Sequence, residues 1–90
     1  MAFRVRLDSP ALSYLQRLDR SVQERIGRRI DQLAEGPYAY SKPLEGTEGL
    51  RASRVGDYRL ILKVKNGELL VLVLKIAPRG EVYRKLGREG

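Results

Sequence analysis

The alternation of apolar and charged residues predicts β-strands at the start of the chain and through its second half. Phe3, Val5 and Leu7 alternate with charged residues, which is the period-two pattern of a strand with one buried face. The segment from Leu69 to Ile76 is almost continuously apolar, which indicates the most deeply buried strand. The pattern as a whole predicts strands over residues 2–8, 50–55, 58–64 and 69–76.

Residues between the first strand and the middle of the chain have a helical period instead. Ser9 and Pro10 form a helix start, because serine caps free N–H groups and proline fits the first turn. Ser21 and Glu24 have the spacing of a capping box, which opens a second helix that ends at Gly36. The apolar positions recur every three or four residues: Leu12, Leu15, Leu18, Val22, Ile26, Ile30 and Leu33. The short link predicts an antiparallel helical hairpin.

Turn-forming residues separate the predicted strands. Residues 37–49 are rich in glycine and proline and are predicted to form a long loop. Residues 56–57 predict a tight turn. Asn66 and Gly67 predict a type I′ hairpin, because both residues tolerate a positive φ.

The order of these elements is β-α-α-β-β-β, followed by a short C-terminal helix or tail. We therefore predict an α+β fold in which the helical hairpin packs on a small antiparallel sheet. Tyr38 and Tyr40, in the long loop, are expected to pack against the helices. The chain has 90 residues, enough for one hydrophobic core, so residues 1–90 are predicted to form a single domain.

The composition excludes several kinds of site and points to a polyanionic partner. The absence of cysteine and histidine removes disulfides, Cys/His zinc sites and histidine acid–base catalysis, so we expect no metal and no cofactor. The sequence has neither a long apolar run for a membrane span nor a signal peptide, so a cytoplasmic protein is expected. The net charge of +7 favours contact with nucleic acid.

The residues best suited to bind such a partner are arginines in or next to the C-terminal strands. Arg51, Arg54, Arg59 and Arg79 can converge on one face of an antiparallel sheet. Arg59 interrupts an apolar strand, so its face must be open or its charge paired. Arg79 shares one side with Tyr83 if the segment after the last strand turns helically. Because guanidinium groups match phosphate oxygens, these residues predict a phosphate-binding site.

Three segments of the chain resemble the RelE/ParE superfamily of toxins, namely residues 42–46, 50–61 and 74–83. The stretch Arg-Val-Gly-Asp-Tyr-Arg, at residues 54–59, is the most specific part, and the archaeal and thermophilic RelE branch is the most similar. The resemblance covers the whole chain and implies the fold predicted above. For a RelE toxin it implies metal-independent cleavage of mRNA in the ribosomal A site, by attack of a ribose 2′-hydroxyl on its own phosphate.

The resemblance also implies which residues would act. Arg54, Arg59 and Arg79 match family positions that would bind the scissile phosphate and its growing charge. Tyr83 would stack on a base or exchange a proton with a reacting oxygen. Lys42 is expected to join these residues, and Arg51 is expected to contact the RNA backbone.

The resemblance further implies a protein partner. A RelB-type antitoxin wraps toxins of this kind and covers or distorts the basic face. We therefore expect a toxin–antitoxin hetero-oligomer, in addition to contacts with the ribosome and mRNA.

Two alternative functions agree with the same sequence. A ParE-like protein would poison DNA gyrase without cleaving RNA. A degenerate RelE-fold protein would act only as a binding module. Ala52 and Pro78 favour this second alternative, because they stand where RelE toxins often have a basic residue and a histidine. The full basic set together with the C-terminal tyrosine favours the RelE toxin.

Overall fold

The computed structural model describes residues 2–78, which contain two α-helices and a sheet of five strands. The helices are α1 (Ser9–Gln16) and α2 (Arg20–Glu35). The strands are β1 (Arg4–Leu7), β2 (Lys42–Pro43), β3 (Leu50–Val55), β4 (Tyr58–Lys65) and β5 (Leu70–Pro78). The predicted α+β class is confirmed. The described helices are too short and too polar to cross a membrane.

The strands lie in the order β1-β5-β4-β3-β2. Strands β3, β4 and β5 pair in the antiparallel sense, as predicted, and β2 pairs antiparallel to β3. The edge strand β1 departs from that prediction, because it pairs parallel to β5, with Arg4 opposite Leu70. A parallel pair needs a long crossover connection. The helical hairpin and the intervening strands supply that connection.

The helices cover one face of the sheet and form the main hydrophobic core with it. Ala11 of α1 and Ile26 and Leu33 of α2 are fully buried, which confirms the predicted apolar stripe of α2. The sheet contributes buried residues from its three inner strands: Val55, Leu60, Leu62, Val71, Val73 and Ile76. Strand β5 has buried residues on both faces, Val71, Val73 and Ile76 on the helix side and Ala77 on the other, which explains why its sequence is almost continuously apolar.

The helix starts differ from those predicted. Asp8 and Asp19 are the N-cap residues, and in the described part of the chain neither helix has a side-chain cap hydrogen bond. The predicted caps Ser9 and Ser21 lie inside the first turns, because each helix begins at or just before the serine. The predicted end of α2 at Gly36 is confirmed.

Strand β2 lies within the segment predicted to be a loop. It pairs with β3, with Lys42 opposite Ala52 and Pro43 opposite Arg51. A strand of two residues has no periodicity that a sequence could reveal. Its proline is tolerated because β2 is at the edge of the sheet.

The hairpin between β4 and β5 is confirmed, but its predicted turn type is wrong. A short 3-10 turn covers Asn66–Glu68, and Lys65 pairs with Leu70, so the connection has four residues rather than two. The positive φ falls on Leu69, at 50°, and not on Asn66 or Gly67. Longer hairpin loops of this kind are commonly built around a type I turn.

The hairpin between β3 and β4 has the tight two-residue connection that the sequence predicts. Val55 pairs with Tyr58, and Gly56 has a φ of +57° at the first central position. Glycine adopts this backbone without the steric cost of a side chain. The turn fixes the register in which Arg54 lies directly opposite Arg59.

We expect Gly56→Ala to destabilise the fold by about 1–2 kcal/mol, the usual cost of a left-handed backbone for a residue with a Cβ. The added Cβ would also displace the guanidinium group of Arg25, which lies against Gly56. Urea denaturation measures the change. Gly67→Ala is the matched control, because Gly67 is not left-handed and its Cβ would meet no described atom within 4 Å. Equal stability of the two variants would show that the backbone at Gly56 does not require glycine.

Candidate functional site

The face of the sheet opposite the helices carries basic side chains around a small apolar floor. Residues that pair across neighbouring strands point to the same face. On this face one row contains Arg54, Arg59 and Ala77, and the next contains Lys42, Ala52, Ile61 and Lys75. The floor consists of the buried residues Ile61 and Ala77, against which Leu44 and Leu50 pack.

A groove of about 810 Å³ opens over this face. We call it the basic groove. Its charged and aromatic lining residues are Arg29, Tyr40, Lys42, Glu45, Arg54 and Arg59. Among these described residues four are cationic and one is a carboxylate. A groove with this excess of positive charge concentrates anions near its surface.

Arg54 and Arg59 are directly opposite each other on antiparallel strands. Arg54 is exposed, whereas Arg59 is half-buried and its Nε is buried. Both side chains would attract a phosphate in the groove, because each guanidinium group can donate two hydrogen bonds to its oxygens.

A hydrogen-bond network joins α2 to strand β3 and to the segment that precedes β2. Nη1 of Arg29 donates to Oγ of Ser53 at 3.0 Å and to the Arg54 carbonyl at 2.7 Å. The Ser53 hydroxyl donates to the Tyr40 carbonyl at 2.7 Å, and Ser53 is 1% exposed. The guanidinium carbon of Arg29 also lies 5.8 Å from the centre of the Tyr40 ring. Through Ser53, one wall of the basic groove is therefore tied to the strand that carries Arg54.

A second set of hydrogen bonds holds the segment that leads into β2. The Ser41 hydroxyl donates to the Pro37 carbonyl at 2.6 Å and accepts from Nε of Arg51 at 2.7 Å. Nη2 of Arg51 donates to the Ser41 carbonyl at 2.9 Å. These bonds precede Lys42 directly and so fix where its side chain enters the basic groove.

The family of the chain follows from comparison with known proteins. The model of a family described as the ParE toxin of type II toxin-antitoxin system, parDE, matches residues 5–83. The chain belongs to the RelE/ParE superfamily of toxins. A Mycobacterium tuberculosis protein named Toxin RelE is 31% identical over 84 residues, which cover 91% of this chain and 87% of that protein.

Solved structures of RelE toxins share the fold. The archaeal RelE–RelB complex from Pyrococcus horikoshii matches with a TM-score of 0.76 and 31% identity, over 89% of this chain and 98% of that chain. The RelBE2 toxin–antitoxin complex from Mycobacterium tuberculosis matches with a TM-score of 0.81 over 88% of this chain and 100% of that chain. Its identity is 23%, so it supports the fold alone. The chain is therefore a RelE-family toxin of a type II toxin–antitoxin system.

In this toxin the residues singled out from the sequence fall into three groups. Lys42, Arg54 and Arg59 are brought together in the basic groove. Arg51 is not, because it points to the helix side of the sheet, opposite Leu62, with its guanidinium carbon 4.8 Å from the Tyr38 ring. Its predicted role in RNA binding stays a prediction. Arg79 and Tyr83 lie outside the described residues.

The two departures from the RelE pattern lie on opposite faces of the sheet. Ala52 is on the groove face, where it pairs with Lys42 and with Ile61. Pro78 pairs with Tyr58 in the row that faces the helices. Only the exchange at Ala52 therefore removes a side chain from the described part of the basic groove.

Three residues of this region were not singled out by sequence reasoning: Arg29, Tyr40 and Ser53. Arg29 was one of several arginines on the polar side of α2, with no signal to distinguish it. Ser53 left no signal either, because its strand also contains Arg51 and Arg54 and so does not distinguish an inward serine from the other polar residues. Tyr38 and Tyr40 are 49% and 39% exposed, and of the two only Tyr40 has a described ring contact with a helix, through Arg29 of α2, whereas the Tyr38 ring contacts Arg51 of β3.

We expect Ser53→Ala to lower the free energy of unfolding by about 1–3 kcal/mol, because the Tyr40 carbonyl and Arg29 each lose a hydrogen-bond partner. Chemical denaturation measures this loss. Ser21→Ala is the matched control, because Ser21 is exposed on α2 and an exposed exchange costs under about 0.5 kcal/mol. A Ser53 variant as stable as the Ser21 variant would show that the network does not hold this edge.

Proposed function

We propose that this toxin is a metal-independent endoribonuclease that cleaves mRNA in the ribosomal A site and so inhibits translation. The observation that supports the proposal most strongly is the side-by-side placement of Arg54 and Arg59 in a groove that also contains Lys42. The 31% identity to the Toxin RelE of Mycobacterium tuberculosis supports the same branch of the family.

The proposed reaction is an internal transesterification of the RNA. The 2′-oxygen of a ribose attacks the adjacent phosphorus, and the bond from phosphorus to the 5′-oxygen breaks. The 2′-hydroxyl loses a proton to a base, and the departing 5′-oxygen gains one. The products are a 2′,3′-cyclic phosphate and a 5′-hydroxyl end.

In this reaction Arg54 and Arg59 bind the scissile phosphate and stabilise the additional negative charge of the transition state. Two guanidinium groups already held in the sheet need little reorganisation when that charge develops. Lys42 adds a third positive charge to the same groove. Arginine does not serve as the base, because its pKa lies above the range in which proteins deprotonate it.

Arg79 and Tyr83 complete the proposed site. Arg79 adds a guanidinium group after the last strand, and Tyr83 exchanges a proton with a reacting oxygen or stacks on a base. Arg51 is proposed to contact the RNA backbone from outside the basic groove. These assignments rest on the matching positions in the family.

A RelB-type antitoxin is the proposed protein partner, which gives a toxin–antitoxin hetero-oligomer in the cytoplasm. The RelE proteins from Pyrococcus horikoshii and Mycobacterium tuberculosis were solved in complexes with their antitoxins. The net charge of +7 favours a partner with acidic segments, whose association would weaken as salt rises.

We expect Arg54→Ala and Arg59→Ala each to slow cleavage of mRNA on ribosomes by about 10²–10³-fold, the typical loss for one donor to a developing oxyanion. Single-turnover cleavage of a ribosome-bound mRNA measures the rate. Arg28→Ala removes the same charge from the exposed side of α2 and should cleave at nearly the wild-type rate. Arg54→Ala should change the free energy of unfolding by less than about 0.5 kcal/mol, because Arg54 is exposed. Equal cleavage rates for Arg54→Ala, Arg59→Ala and Arg28→Ala would contradict the assignment of Arg54 and Arg59 to the site.

We expect Arg79→Ala and Tyr83→Phe to abolish growth arrest when the toxin is expressed without antitoxin, because both side chains belong to the proposed site. Growth after induction in culture measures the arrest, and circular dichroism of each purified variant confirms that it is folded. Growth arrest as strong as that of wild type in both variants would show that the two assignments are wrong.

The two alternative functions make different predictions in the same cultures. A ParE-like gyrase inhibitor is favoured by the description of the matching family model, and it would block DNA supercoiling while mRNA stays intact. A degenerate binding module is favoured by Ala52 on the floor side of the groove, and it would produce no new mRNA ends in primer extension. New 5′-hydroxyl ends within translated codons are the outcome that supports the nuclease.

A further inference from the structure

Tyr40 is an exposed aromatic side chain in the wall of the basic groove. Its surface is 39% exposed, and it lines the same groove as Arg54 and Arg59. Proteins that bind single-stranded nucleic acid combine a cationic groove with aromatic rings on which bases stack. The basic groove supplies the cations, and Tyr40 supplies the aromatic ring.

Both the backbone and the ring of Tyr40 are held in place. The carbonyl accepts a hydrogen bond from Ser53, which is buried under the strand edge. The ring lies 5.8 Å from the guanidinium carbon of Arg29, within the range of a cation–π contact. Arg29 is itself fixed by its bonds to Ser53 and to the Arg54 carbonyl. The ring is therefore preorganised relative to the strand that carries Arg54.

We propose that Tyr40 is a base-stacking residue for single-stranded RNA whose phosphate lies against Arg54 and Arg59. The inference rests on the proposed function, to which it adds a subsite for the base. Every nucleobase has a π-face, so stacking on Tyr40 accepts any base and gives affinity rather than sequence preference. The positive charge of Arg29 beside the ring further favours an anionic strand.

Tyr38 offers a matched control within the same segment. It is 49% exposed and lies 4.8 Å from the guanidinium carbon of Arg51, so its surroundings resemble those of Tyr40. It lines a separate small cavity with Leu50 and Val64, and its hydroxyl accepts a hydrogen bond from Asn66. Removal of its ring therefore deletes an exposed aromatic side chain with a cation–π contact, but not one that lines the basic groove.

The first measurement is binding of a fluorescent, fully 2′-O-methylated RNA oligonucleotide, which cannot be cleaved, by anisotropy at low salt. Tyr40→Ala should weaken binding by about 5- to 100-fold, the range reported by alanine exchanges at stacking residues. Tyr40→Phe keeps the π-face and should bind within about twofold of wild type, as should Tyr38→Ala. Thermal melting confirms that each variant folds.

The second measurement identifies the contact on the RNA. An abasic nucleotide is moved along the oligonucleotide, and each RNA is titrated with wild type and with Tyr40→Ala. At the stacked position, the abasic RNA should bind wild type as weakly as the intact RNA binds Tyr40→Ala. The abasic RNA should bind Tyr40→Ala no more weakly than the intact RNA does, because both changes delete the same contact.

The outcomes separate this inference from the proposed nuclease. If Tyr40→Ala binds RNA and cleaves mRNA on ribosomes like Tyr38→Ala, while Arg54→Ala loses both, stacking is overturned and the nuclease stands. If wild type does not cleave on ribosomes but RNA binding still depends on Tyr40, the nuclease is overturned and stacking stands. Equal losses for Tyr40→Phe and Tyr40→Ala, or no RNA binding by wild type, would also overturn stacking.

Discussion

The register between β3 and β4 places Arg54 directly opposite Arg59 on one face of the sheet, and the rest of the site depends on it. The hydrophobic effect maintains this register, because it buries Leu60 and its neighbours under the helices. A slip of β4 by one residue would turn Arg59 into the core and Leu60 out to solvent. The burial of one face of the sheet therefore maintains the charge density of the other.

A buried hydroxyl forms a polar link between the two layers of the molecule, in addition to the hydrophobic core that they share. Ser53 faces the helices, where most residues of the sheet are apolar, and it links Arg29 of α2 to the segment that carries Tyr40. A polar group in such a position is tolerated when its hydrogen bonds are made. The helix thus contributes to the basic groove although it covers the opposite face of the sheet.

The sequence predicted what periodicity and turn chemistry determine, and missed what depends on distant contacts. The stripe through Ile26 and Leu33, the buried last strand and the tight turn at Gly56 each follow from short-range patterns. Strand β2 could not be predicted, because its two residues join the sheet only through pairing with β3. The convergence of Arg54 and Arg59 was expected from their places in neighbouring antiparallel strands, and Lys42 was added to them by the family resemblance. The positions of Arg29 and Tyr40 required the fold, since they depend on Ser53 across the sheet edge.

The parallel pairing of β1 with β5 has a consequence for the order of folding. The β3–β4 hairpin is local in sequence, so its strands can pair as soon as both have been synthesised. Strand β1 is made first, yet its partner is the last described strand, with Arg4 bonded in the ladder beside Leu70. In a nascent chain β1 therefore stays without its partner until β5 has been synthesised, and only then can these two strands pair. A premature stop upstream of β5 would yield a fragment with its arginine hairpin but without the central strand that supports it.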